Sequence, residues 1–223
     1  MLYILSKTGD TGYFRLMKTM FCADRQNLLR WGDQITNLDY YARKHGPVPT
    51  SVHDGLLSTY QGMESDYSDI LTVKGNFMMV HPTREPNLDY LSETDKESID
   101  KAIYELKGKN RDQIEAYLHE SVYHRILESE KKKYSHVDIV ASAGATEKQI
   151  AKVRYEDQLR KALSWIDHDS YLECLELKPA TAEKLLEGRA EGKLKAEDLQ
   201  EAMKLVKMSR RHSFILLKMY GIL

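Results

Sequence analysis

The sequence predicts a mainly helical α+β fold: a helical domain with a small antiparallel β-sheet, followed by a helical C-terminal extension. Three observations predict it. Apolar residues recur at steps of three and four over long stretches. Two short β-rich runs flank a Gly-Asn turn in the first half of the chain. Beyond residue 168 the pattern changes to short helices broken by Gly188 and Gly192. The expected domains are therefore residues 1–168 and 169–223.

The first strong element runs from Tyr13 to Trp31, where Tyr13, Leu16, Met17, Met20, Leu28 and Trp31 mark one buried helical face and Gly32 supplies a left-handed stop. Asp24 falls on that face. An ionised carboxylate in an apolar stripe is costly unless donors meet it, so Asp24 reads as a structural bolt served by the segment Tyr40 to Ser51. In Gly46-Pro47-Val48-Pro49 the prolines restrict their own angles and those of the residues before them, which makes a stiff strut with Gly46 and Pro49 in structural roles. Thr50 or Ser51 opens the next helix, and Ser51 with Asp54 has capping-box spacing. Asp69 to His81 reads as a hairpin about Gly75-Asn76, pairing Val73 with Met78 and Leu71 with Val80. Ser92 with Asp95 starts a helix to about Leu106, and Asn110 with Gln113 another to about Glu120, with Gly108 between them. From Val122 to Ala145 a charge run and a short strand at Val137–Val140 are expected. Helical spacing returns from Thr146 to Trp165. In the extension, a short helix follows Lys178-Pro179 and a longer one covers Ala196 to Tyr220, with Leu199, Met203, Val206, Phe214 and Leu217 as its apolar stripe.

A helix carrying Ala23-Asp24, then His45-Gly46-Pro47-Val48-Pro49, then a second helix, resembles the Panacea domain family, which includes SocA-like antitoxins and GepA-like phage-associated proteins. The residues that carry the likeness are Leu16 to Trp31, Ile35-Thr36, Tyr41 to Pro49 and Val52 to Leu57, with a second block at Leu91 to Asp95 and Ile114 to Glu120. It covers roughly residues 10 to 125 and fades by about 168. The resemblance implies an antitoxin that neutralises a cognate toxin protein by binding it, in some members as an adaptor that presents the toxin to a protease. No catalytic centre or cofactor is implied.

Composition excludes little but orients the reading. Lys and Arg total 33 against 34 acidic residues, a net charge of −1, so bulk electrostatics favour neither nucleic acid nor an anionic membrane. Of the two cysteines, Cys22 and Cys174, neither has a ligand cluster around it, and a reducing cytoplasmic setting is expected. Apolar runs stay far short of the roughly 20 residues of a spanning helix. No nucleotide, hydrolase or zinc-helix motif occurs, and His119 and His124, five apart, would lie on different faces of a helix. Cys22 reads as a packed thiol. The basic residues Lys204 to Lys218 complement a helix C-terminus.

The candidate partner-binding residues are His45, Pro47 and Val48 beside the strut and Met203, Phe214 and Leu217 on the terminal helix. His45 has two readings, as a donor to Asp24 or as partner surface. No metal site is expected, and the partners in view are a toxin, a protease and a second copy of the chain. Two other functions are weighed: a DNA-binding regulator using the basic tail, and an enzyme with a site near Asp24 and His45.

Overall fold

The computed structural model describes residues 1–163, so the expected tail helices, with Met203, Phe214 and Leu217, and the boundary at 168 lie outside the described residues. The first unit of the chain, Met1–Val153, holds every described element but the later part of the last helix. In order they are α1 (Leu2–Thr8), β1 (Thr11–Gly12), α2 (Tyr13–Trp31), β2 (Tyr40–Arg43), β3 (Gly46–Pro49), α3 (Thr50–Tyr60), β4 (Leu71–Lys74), β5 (Met79–Pro82), α4 (Glu93–Leu106), α5 (Arg111–Leu118), α6 (Ser121–Glu128), α7 (His136–Ala141) and α8 (Glu147–Leu163). The fold is α+β and mainly helical, with small antiparallel sheets.

α2 is the axis. It ends where the sequence places the stop: Gly32 takes φ 82° and its N–H closes onto the Leu28 carbonyl at 2.9 Å. Burial, however, is not confined to one face. Every residue from Leu16 to Leu28 is buried, because α4 lies along the helix and α3, α7 and β3 pack around it. The apolar stripe meets Ile99, Ala102 and Leu106 of α4 in one core. The polar residues of the other faces are therefore inside as well, and each has to find partners within the protein.

Two hydrogen-bonded pairings organise the loops. β2 and β3 form a hairpin with Tyr40 opposite Pro49 and Ala42 opposite Pro47, joined by Lys44-His45, so the strut is one strand of a pair. The prolines fit because the Ala42 N–H and the Tyr40 carbonyl point away from β3, to the Lys132 carbonyl and the Tyr134 N–H at 2.7 and 2.9 Å. Those cross-strand pairs thus require no donor from proline. The second sheet has the order β1-β5-β4.

The hairpin at Gly75 forms with a different register from the expected one: Val73 pairs with Val80, and Leu71 with Pro82. The loop is four residues, closed by the Met78 N–H on the Gly75 carbonyl at 3.0 Å, rather than the two-residue Gly-Asn turn. A two-residue slip preserves side-chain parity. Leu71, Val73 and Val80 are accordingly still buried together, while Met78 leaves the ladder.

Capping boxes form at Ser92/Asp95 and Asn110/Gln113, as their spacing indicates. The Ser51/Asp54 box does not. α3 opens at Thr50, one of the two expected positions, with Pro49 as its N-cap, and Asp54 instead faces His53 Nδ1 at 2.8 Å. The expected strand at Val137–Val140 is the helix α7, begun by a Ser135/Asp138 capping box. α1 and α6 were not predicted; each is short, and burial of Tyr3, Ile4 and Leu5 or of Tyr123 and Ile126 holds it. Among the described residues no helix is long and apolar enough to cross a membrane.

Asp24 is fully buried and accepts four hydrogen bonds: from the Ile35 N–H at 2.8 Å, the Thr36 N–H at 3.0 Å, the Tyr40 hydroxyl at 2.7 Å and the Thr36 hydroxyl. Tyr40 belongs to the expected donor segment, but the other donors come from the connection before it. Replacing Asp24 by Ala orphans these donors together. Asp24→Ala is expected to lower the unfolding free energy by about 3 kcal/mol. Urea denaturation checks it, with exposed Asp54→Ala within about 0.5 kcal/mol of the parent.

Candidate functional site

Two buried charges on α2, Asp24 and Lys18, have contrasting surroundings. Burial pushes the Asp24 carboxyl up, and the bonds from Thr36, Tyr40 and Ile35 oppose that shift. Its acceptor capacity is filled by the connection and β2, which makes it a tether between α2 and the residues that follow. It does not meet His45, which sits at the β2–β3 turn with Nδ1 3.0 Å from Glu115 Oε1. The reading of His45 as a donor to Asp24 is therefore overturned, and the two do not converge on a shared centre.

Lys18 is also fully buried, and its Nζ donates to the Pro47 carbonyl at 2.7 Å. Burial lowers its pKa from the usual 10.5 to about 7, a shift that Glu115 opposes. The Phe14 ring lies 5.1 Å from Nζ, and the Arg111 guanidinium lies 4.9 Å from the same ring. The helix brings Lys18 to β3, and β3 is held in place by the hairpin. Gly46 is needed at this approach: its φ is 91°, and a Cβ there would lie 3.3 Å from Lys18 Nζ and 3.4 Å from His119 Nε2. The gap left by the missing side chain is bordered by both nitrogens.

Lys18, Val48 and Met17 contribute to a cleft of about 420 Å³ whose remaining wall includes Tyr13, Phe14, Arg43, Lys44 and Arg111. His45 and His53 also line it. Partial burial works to raise the Glu115 carboxyl, but hydrogen bonds from Arg111 and His45 prevail and hold it below the usual range. His119, which ends α5, stacks on Tyr123 with ring centroids 4.1 Å apart, and burial lowers its pKa. Its Nε2 is buried with no hydrogen-bond partner among the described residues. His119 and His124 thus belong to different elements, and the five-residue helical comparison does not apply to them.

Of the expected partner-binding residues, His45 is partly exposed, Val48 is buried at the cleft wall and Pro47 is buried with its carbonyl taken by Lys18. Pro47 offers no surface here. Gly46 begins β3 opposite Arg43, and Pro49 is the N-cap of α3. Cys22 is buried beside the Arg25 guanidinium, which lies 3.8 Å from its Sγ, and burial pushes its thiol up to about 11, as suits a packed thiol.

Lys18, Arg43, Lys44, Arg111 and Glu115 were not singled out by sequence. Lys18 and Arg25, seven apart on α2, share a helical face and would normally signal a solvated stripe. Arg25 is instead buried against the Tyr117 hydroxyl at 2.7 Å and Glu105 at 3.4 Å.

Residues 16–124, from α2 into α6, match the family model described as antitoxin SocA-like, Panacea domain. No curated protein and no solved structure matches the chain.

Lys18 makes stability pH-dependent in a defined direction. Its folded pKa lies below its unfolded value, so the unfolded chain binds more protons between pH about 7 and about 10.5, and stability rises with pH across that window. Lys18→Met lacks this linkage. The stability of the variant minus that of the parent is expected to shrink from pH 7 to pH 9, by at most about 1.4 kcal/mol per pH unit. Urea titrations of both proteins across that range measure the difference.

Proposed function

We propose that this protein is an antitoxin that neutralises a cognate toxic protein by direct binding. The family match over residues 16–124 carries the reading. The described surface supplies anchors of a kind that protein interfaces use: Phe77, Tyr90 and Tyr104 are strongly exposed, and Tyr117 and Tyr60 partly so. Aromatic side chains bury large areas at low entropic cost, and a few such residues usually supply most of the binding energy. His45 remains a proposed contact, since the β2–β3 turn presents it beside the cationic pair Arg43-Lys44. The role extends to presenting the toxin to a protease in the manner of SocA-like adaptors, and the extension 169–223 supplies partner specificity.

The test is co-expression with the product of the adjacent reading frame. The expected outcome is restored growth together with a stoichiometric complex on affinity purification; restored growth without a complex overturns stoichiometric binding. A toxin half-life shortened only in cells with intact proteases marks the adaptor role. Truncation after Asp169 is expected to leave a folded protein that no longer rescues, with folding checked by circular dichroism. A truncated protein that still rescues removes the extension from specificity.

A further inference from the structure

The charges around the β2–β3 turn are not balanced by the protein itself. A buried ammonium has three donors, and Lys18 gives one to Pro47; no other protein acceptor meets Nζ among the described residues. Leaving donors of a buried cation unmet is costly. Asp24, which accepts four hydrogen bonds on the same helix, shows what a satisfied buried charge looks like in this fold. Lys18, itself without exposed surface, lies beneath a cleft that Arg43, Lys44 and Arg111 also line. Against these cations stand Glu115, shared by Arg111 and His45, and Asp54, which faces His53. With Lys18 protonated and the histidines neutral, two positive charges remain in excess. No carboxylate among the described residues lies within ion-pair distance of Arg43 or Lys44.

We infer that the cleft binds a small phosphate ester, with the phosphoryl oxygens on Arg43 and Lys44 at the rim, above the buried Lys18 charge, and the organic part against Tyr13 and His53. Charge selects the phosphate: a monoester carries about two negative charges near neutral pH, which matches the excess, whereas one carboxylate leaves a cation unmatched. Size favours a small molecule, since about 420 Å³ lies within the usual range for such sites, roughly 300–1,000 Å³. The rings supply an apolar wall, with Tyr13 and His53 centroids 6.2 Å apart. The lowered Lys18 pKa is consistent with an ammonium awaiting a counter-ion, and bound phosphate would raise it again.

The experiment is calorimetric titration of the full chain at low ionic strength with phenyl phosphate, benzoate and an alternating Asp-Glu hexapeptide as probes. Phenyl phosphate is expected to saturate a single site, with benzoate weaker by about tenfold or more, the value of one charge-assisted hydrogen bond. Arg43→Glu with Lys44→Glu is expected to weaken phenyl phosphate by at least about tenfold, and Lys18→Met to weaken it by a smaller factor. Lys148→Glu, an exposed change on α8 away from the cleft, leaves it unchanged. The rim variant keeps the test valid if Lys18→Met alters folding. Absence of saturable phenyl phosphate binding overturns the inference, as does equal affinity in the rim variant. Tighter binding of the hexapeptide than of phenyl phosphate also overturns it and assigns the cleft to carboxylates of a partner protein. None of these outcomes depends on toxin rescue, so this inference and the antitoxin reading fail separately.

Discussion

An ionised carboxylate at the centre of a helix buried on every side has to be met by donors that the helix itself cannot supply, and in this protein those donors fold the next stretch of chain. Asp24 draws the Ile35 and Thr36 N–H groups and the Thr36 and Tyr40 hydroxyls onto α2. Tyr40 opens β2, β2 pairs with β3, and Pro49 at the end of β3 starts α3. One buried charge thus sets where the connection turns, where the hairpin sits and where the following helix begins. Such a network contributes mainly through what its loss would cost, because each orphaned donor retains its desolvation penalty.

The same constraint recurs along α2. Asn27 donates to the Asp33 carbonyl and accepts from Ser98, which ties the end of α2 to α4. Arg25 reaches Glu105 and Tyr117, and Gln26 also donates to Glu105, so α4 and α5 are drawn to the same helix. Arg15 adds bonds to the Leu106 and Lys109 carbonyls, where α4 ends. A wholly apolar helix would also bury well, but dispersion and hydrophobic contact are not directional. The polar bonds fix rotation and register against the neighbours. The cost is that every one of them has to be satisfied at once.

Lys18 departs from this pattern. Asp24, Asn27 and Gln26 end in protein partners, whereas Lys18 has a single carbonyl and a cationic cleft beyond it. A charge retained inside a fold without full protein compensation is a common sign of a ligand or switch, because packing alone would favour its replacement by an apolar residue of the same shape. Lys18 shares α2 with the charge that organises the hairpin, so anything bound in the cleft acts on the β2–β3 turn directly. Partner recognition through His45 and anion binding above Lys18 would then be read by the same two strands.

The sequence by itself determined the local elements whose signals are local. α2 and its Gly32 stop follow from apolar spacing and a left-handed glycine; the caps of α4 and α5 follow from Ser92/Asp95 and Asn110/Gln113; and the burial of Asp24 follows from its helical phase. The order of residues from Leu16 to Leu57 also carried the resemblance that the family match over residues 16–124 bears out. Tertiary structure decided the rest, for identifiable reasons. The loop at Gly75 could close with two residues or four without moving a side chain to the other face, so alternation alone did not choose the register. Val137–Val140 had β-branched residues, and the Ser135/Asp138 cap and burial of Ile139 and Val140 made them a helix. Lys18 and Arg25 had the spacing of a solvated face. They became interior when α4, α3 and β3 enclosed α2 from several sides, a property of how the elements pack and not of any short stretch of sequence.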